Sequence, residues 1–542
     1  MMIHTYKRAN LIVRAKNVVS FLLLTLLALP SYAQKSPLFS EYAITLPFNL
    51  TQPVLALNIL ENPGNELVAI GLTAEGQRQL AVYAFNSLHD KMQLIDLLTL
   101  GQQFFAYDQG VAQPSGLQSL YFLSSERIFE YVYVAPTPET DEYTGPAMAA
   151  PHIPAVVNDL QSNSYLKPLH TVSTMYFGTK SDALLQSNFS QDINDDQQDD
   201  FILSQFEKVD LWLSKPGTKE RVTQSLSIPA LMIVEGEALT FKPHELFLAD
   251  MNRDGRSDLV LVETGQLKVF EQNSQGTFDI QGKPVHLAED IEGINWWDKI
   301  DADGQQLSQS NLKHKMVELI TDINGDAVAD LVVRFAQSSG VLDRTNDYEV
   351  YYGQLKSQGL MFAKTADTRI QSSSTLSDFR LVDLDNDGRQ EVMVSAFELG
   401  VSQIISALLS SSIEQEILLF KMDDNQAYPA KPTESQEVEI TFSLSSGSRG
   451  EPMVKLIDLN GDGLKDFVFS EEDEQIRVNM AVNDAKRLFN RRSEKYSVQV
   501  PKNAKAITHS DINLDGKTDL ILHYSRVDPP ELLNKVIVLI AN

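Results

Sequence analysis

Six stretches of nine residues set oxygen-bearing side chains at positions one, three, five and nine and then run directly into an apolar segment. They are DINDDQQDD from Asp192, DMNRDGRSD from Asp250, DINGDAVAD from Asp322, DLDNDGRQE from Asp383, DLNGDGLKD from Asp458 and DINLDGKTD from Asp511. The candidate ligands are Asp192, Asn194, Asp196 and Asp200; Asp250, Asn252, Asp254 and Asp258; and Asp322, Asn324, Asp326 and Asp330. The later three loops supply Asp383, Asp385, Asp387 and Glu391; Asp458, Asn460, Asp462 and Asp466; and Asp511, Asn513, Asp515 and Asp519. Alternate residues of a tight loop point inward, so these oxygens converge, and an all-oxygen cage of six to eight ligands suits calcium. Glycine at position six, as at Gly463, supplies a sharp turn.

An EF-hand loop begins in the same way but needs a bidentate acid at position twelve and flanking helices. Position twelve is Phe469 in the Asp458 copy and Leu261 in the Asp250 copy, while the ninth position carries the acid and a strand follows at once. The expected site therefore caps a β-hairpin. Gln197 and Ala327 stand where glycine is expected, and a left-handed backbone costs such residues on the order of 1 kcal/mol. Those two loops are expected to bind more weakly. In the Asp383 copy the extra charge of Asp385 favours binding, while the longer Glu391 reshapes the cage. Nineteen carboxylates occupy the ligand positions of the six loops and would repel one another without a counter-charge.

The loops need a repeated scaffold. Their starts are separated by 58, 72, 61, 75 and 53 residues, a spacing that fits one supersecondary unit per repeat in a propeller or array. After Asp250 come DLVLVETG, QLKVFEQN and TFDIQGKPVHL, three β-prone runs that with the preceding strand make one four-stranded blade. Upstream, PVLALNILENPGNELVAIGL, QLAVYAF and MQLIDLLTL read as a blade lacking the acidic loop. A second such blade runs from about Phe104 to Tyr176 around a Pro-rich insertion at about 135–160. The expected fold is all-β, an eight-bladed propeller, with seven blades if the Pro-rich region is only an excursion. The last repeat ends one strand short, and EYAITLPFN, Glu41 to Asn49, can fill the place. SQIISALLSSSIEQ has a helical apolar spacing and reads as an inserted helix before a strand near Ile417.

The pattern D-x-[DN]-x-D-G-x-x-D followed by apolar residues resembles the FG-GAP or VCBS repeat of integrin α-subunit propellers and of many exported bacterial proteins. By motif the resemblance spans about residue 182 to the C-terminus. It implies a calcium-binding propeller with up to six structural ions, in a family that mixes adhesion modules, assembly proteins and domains appended to enzymes.

Residues 1–33 read as a secretory signal, with Lys7, Arg8, Arg14 and Lys16 before an apolar stretch from Val18 to Leu29 and a cut after Ala33. Residues 34–542 then form one propeller domain, with the two degenerate blades in 34–181 and the six acidic ones in 182–542. The expected location is the periplasm, the cell surface or the medium. With no cysteine, the chain has no disulfide and no thiolate chemistry. A net charge of −28 disfavours nucleic acid and anionic membranes and favours divalent cations. No G-x-S-x-G, H-E-x-x-H, phosphate-loop or dinucleotide motif occurs. Trp296 and Trp297 read as a packed or rim pair, with a sugar platform as the alternative. The favoured reading is a binding or scaffold module for a protein or glycan. The alternatives are a secreted propeller enzyme on polysaccharide, a lyase or hydrolase, and a cell-envelope assembly factor.

Overall fold

Runs such as ELVAIGL carry apolar residues at consecutive rather than alternate positions, which suits a strand buried on both faces. In the computed structural model Glu66–Leu72 is such a strand. Leu67 and Ala69 pack with Ile512, Ile521 and Val538 on one side, and Val68 and Ile70 pack with Phe104, Tyr107 and Phe122 on the other. The core accordingly lies in the seams between sheets rather than in one central mass. The structure describes residues 37–542 apart from 62–63, 136–162, 177–183, 216–217, 219, 236–237, 300–306, 341–342, 358, 399–411, 442–450, 472 and 485–486. No described helix is long and apolar enough to cross a membrane.

Eight four-stranded antiparallel blades form the propeller. Blade 1 runs Leu55–Leu57, Glu66–Leu72, Arg78–Asn86 and Lys91–Thr99; blade 2 runs Phe104–Gln109, Leu120–Ser124, Arg127–Tyr133 and Ser164–Thr171. Blade 3 is Ser190–Gln191, Asp200–Ser204, Val209–Leu213 and Val222–Leu226; blade 4 is Leu246–Ala249, Asp258–Glu263, Gln266–Phe270 and Lys283–His286. Blade 5 is Leu312–Thr321, Asp330–Gly340, Asp343–Tyr351 and Thr368–Ile370; blade 6 is Thr375–Val382, Glu391–Phe397, Ser412–Phe420 and Glu434–Thr441. Blade 7 is Val454–Ile457, Asp466–Glu471, Gln475–Asn479 and Glu494–Ser497. Blade 8 takes Ile507–Ser510, Asp519–His523 and Lys535–Ala541 from the end of the chain and Phe39–Thr45 from its beginning.

The closing strand pairs along its whole length, from Phe39 opposite Ala541 to Thr45 opposite Lys535. It stops earlier than the sequence suggests. Pro47 lies past its end rather than on its outer edge, and Asn49–Leu50 already pair with blade 1. A proline at an edge position would have been tolerated, but here the chain needs those residues to cross from blade 8 to blade 1. Ser412–Glu416 belong to a strand, not to the end of a helix, because Glu416 and its neighbours pair with Ala396 and the residues before it. The rest of the expected helix, the Pro-rich insertion and the signal segment fall outside the described residues.

Candidate metal centre

All six acidic loops join the first strand of a blade to the second, and the ninth residue is in every case the first residue of that second strand. Within each loop the same hydrogen-bond frame recurs. The position-one carboxylate accepts from the N–H of positions five and six, at 3.2 and 2.8 Å for Asp458 and 3.1 and 2.9 Å for Asp511. Asp192, Asp250, Asp322 and Asp383 accept the corresponding pair of donors. The position-five carboxylates Asp196, Asp254, Asp326, Asp387, Asp462 and Asp515 each accept from the N–H of position seven. Asn194, Asn252, Asn324, Asn460 and Asn513 accept from position five through Oδ1. These contacts fold each loop around its own oxygens, and every carboxylate keeps further lone pairs for a cation.

The ninth acid does something the spacing alone does not reveal. Asp200, Asp258, Asp330, Glu391, Asp466 and Asp519 are fully buried. One carboxylate oxygen accepts the N–H of position two, for example from Ile512 to Asp519 at 2.8 Å. In five loops the other oxygen accepts a backbone N–H at or just past the end of the third strand: Ser214, Gln272, Gly353, Ala481 or Ala541. The acid thus staples loop, second strand and third strand together. Blade 1 confirms this role, because Glu66, the ninth residue of NILENPGNE, accepts from Ile59 and Leu60 at 2.9 and 3.1 Å where positions one and three are Asn58 and Leu60. A repeated acid at position nine is therefore explained by hairpin stapling without any metal. Burial pushes these carboxyls up, to about 6 for Asp200, Asp258, Asp466 and Asp519 and to about 7 for Asp330 and Glu391.

The loops carry two left-handed residues each, not one. Position six is left-handed at Gln197 and Ala327 as expected, with φ of 61° and 62°. Position four is left-handed as well, at Asp195, Arg253, Gly325, Asn386, Gly461 and Leu514. Only the Asp458 loop has glycine at both places, and only the Asp192 loop has glycine at neither. Leu514 adopts φ 58° and is exposed, so its side chain gains little burial to offset the strain. Leu514→Asn is expected to stabilise the fold by about 0.5–1 kcal/mol, read as a higher urea midpoint, and Gly461→Leu to destabilise it by a similar amount.

Position eight links neighbouring blades. Thr518 N donates to Asp458 O at 2.7 Å, Lys465 N to Leu384 O at 3.0 Å and Asn65 N to Ile512 O at 3.2 Å. Ser257 N donates to the Asp195 carboxylate at 2.6 Å, and the Asp199 carboxylate accepts from Val111 N and the Tyr121 hydroxyl. These contacts reach the first loop of the preceding blade, and in blade 2 also Tyr121 on its second strand, so the loops make a chain of contacts around much of the ring.

Among the described residues one set of carboxylates converges closely enough for metal coordination: ligand oxygens of Asp383, Asp385 and Glu391 lie within 4.8 Å of one another. Asp385 Oδ1 and Glu391 Oε1 are buried without a hydrogen-bond partner. At the seam of blades 2 and 3, where the acidic loop is missing from blade 2, there is a cavity of about 610 Å³ lined by Asp108, Gln109, Gln118, Gln186, Asn188 and Ser190 among others. The Ser190 hydroxyl is buried there without a partner. Burial raises the Asp108 carboxyl to about 6, although it accepts from Phe189 N and Ser190 N, both at 2.7 Å.

Trp296 and Trp297 sit in a short 3-10 turn with rings perpendicular at 82°, and the Arg344 and Arg334 guanidiniums lie 5.8 and 5.7 Å from the respective ring centres. Trp296 is half-buried and Trp297 is exposed, and the perpendicular rings share no common flat face. His523 is buried and its ring is held down to about 4 by desolvation, which fits a neutral core side chain beside the hairpin.

No protein-family model matches the chain, and no curated protein matches it. Solved structures similar to it include an Agrocybe aegerita lectin described for specific recognition of non-reducing terminal N-acetylglucosamine, at 14% identity over 83% of this chain and 94% of that one, with a TM-score of 0.37. The BBS1N chain solved in complex with ARL6DN shows 10% identity over 92% and 97%, with a TM-score of 0.33. The WD40 domain of SCAP from fission yeast shows 10% identity over 81% and 95%, with a TM-score of 0.28. None of these assigns the chain a family, and the eight blades stand on the strand pairing itself.

Proposed function

We propose that the chain is an exported, calcium-stabilised β-propeller that works as an interaction module. The observation that carries this reading is the hydrogen-bond frame shared by the acidic loops, which engages the oxygens of positions one and five in all six copies and of position three in five, together with the convergence of Asp383, Asp385 and Glu391 and the partnerless buried oxygens of Asp385 and Glu391. Positions one, three and five of each loop would hold the ion, with the ninth acid behind them. Bound calcium would supply positive charge to carboxylates that otherwise repel. The cleft at the blade 2–3 seam is the favoured ligand site. Its amides and hydroxyls can donate to and accept from a hydroxyl-rich ligand, and among the described residues Asp108 is its one charged side chain, which favours a neutral glycan over an acidic peptide.

The deciding experiment compares thermal melts in a calcium chelator and in millimolar calcium. A ligand that binds only the folded state adds about 2.7 kcal/mol per site at a hundredfold excess over Kd, so several sites should shift the midpoint by on the order of 10 °C. Superimposable melts would remove the metal reading.

A further inference from the structure

Blade 6 breaks the pattern of the other five acidic loops at two ligand positions. Position three is Asp385 where the others have asparagine, and position nine is Glu391 where the others have aspartate. Both changes undo a backbone contact. Asp387 N donates to Asp383 at 3.1 Å, but Asp385 does not take the place that asparagine Oδ1 holds elsewhere. Glu391 keeps the contact to Leu384 N at 2.9 Å, yet its other oxygen is buried without a donor. The extra methylene moves that oxygen off the third-strand staple.

A cation of the chain itself stands at this loop. Phe420 pairs with Val392, so the next residue, Lys421, lies opposite Glu391, and its ammonium contacts Asp385 Oδ2. The residues at the corresponding place are Leu213, Glu271, Tyr352, Met480 and Ile540 in blades 3, 4, 5, 7 and 8. Blade 6 alone puts a positive charge there, and blade 6 alone has four carboxylates at the ligand positions. The other charged group at the loop, Arg389, reaches outward to Asp387 and Asp424, at 3.1 and 3.3 Å.

We propose that the Lys421 ammonium and a divalent cation are alternative occupants of the blade 6 loop. Lys421 neutralises the Asp383, Asp385 and Glu391 cluster when no metal is bound and must swing away for a metal to enter. This loop is then self-sufficient without calcium and the weakest of the six for it, whatever its extra negative charge would suggest. The metal half of the inference rests on the calcium reading; the counter-ion half stands without it.

The test uses the full chain with Lys421→Met, read by melts in EGTA and by calcium titration calorimetry. In EGTA the variant should melt below the parent, and saturating calcium should close the gap. The titration should show one site about tenfold tighter than any blade 6 site in the parent. Because deleting one charge beside crowded carboxylates can prevent folding, the double variant Lys421→Met with Asp385→Asn is measured in parallel and should regain the parent's melt in EGTA. Equal melts of K421M and parent in EGTA, or a double variant no better than K421M, overturn the counter-ion role. Calcium binding to both proteins with identical isotherms overturns the exchange alone. No calcium binding to either protein overturns the general calcium reading and the exchange with it.

Discussion

A chain lacking Phe39–Thr45 is expected to lose the closed ring, aggregating and becoming sensitive to protease at temperatures where the parent stays folded. The strand contributes a full antiparallel ladder to Lys535–Ala541 and is wedged between two other blades. Phe39 and Ile44 are buried. Phe39 meets the Tyr496 ring of blade 7 edge-on at 5.2 Å, and Tyr42 meets Phe85 of blade 1 at 5.3 Å. Burying one such side chain contributes about 1.5–3 kcal/mol, so the strand accounts for a large share of a stability that is typically about 5–15 kcal/mol. Its removal also bares Lys535–Ala541 as an apolar edge, the template that sheet proteins normally cover. Size-exclusion chromatography and limited proteolysis of the truncated chain check this. A truncated protein that stays monomeric and melts with the parent would show that the strand is not the clasp.

The second large effect is expected from Asp519→Ala, and it should appear with calcium and without it. Removing this carboxylate leaves Ile512 N and Ala541 N buried with no acceptor. Each unsatisfied buried donor costs about 1–3 kcal/mol, so the variant should lose roughly 2–6 kcal/mol in EGTA as well as in calcium. Asp511→Ala behaves differently, since its partners Asp515 N and Gly516 N belong to an exposed loop and water can replace the lost acceptor. Its loss should be larger in calcium than in EGTA. Urea unfolding of both variants in both buffers separates a staple from a ligand. If Asp519→Ala lost stability only in calcium, the ninth acid would be a metal ligand rather than a staple.

The repeats were legible because each acidic loop is a local object. Nine consecutive residues contain all the hydrogen bonds that fold it, apart from the staple's reach to the third strand, and turn chemistry of that kind is written in the residues themselves. Strand rhythm was legible for the same reason, down to the two blades with no acidic loop. Glu66 was not: its loop shares only the ninth position with the others, and one acid nine residues into a turn is no pattern until its partners Ile59 and Leu60 are seen. Position four escaped notice because asparagine, arginine, aspartate, leucine and glycine all occupy it, so composition hides a shared left-handed backbone.

By itself the sequence determined the all-β class, the blade period, the place of each acidic loop at the head of a hairpin and the need for an N-terminal strand to complete the last blade. Each of these follows from short-range alternation, turn residues and a count of strands. Only the tertiary structure decided what the ninth acid holds, that position eight reaches across to the preceding blade and that Lys421 enters the Asp383 loop. Those contacts join residues far apart in the chain, as Asp519 does with Ala541 and Asn65 does with Ile512, and they exist only once the blades have closed around the axis and the seams have excluded water.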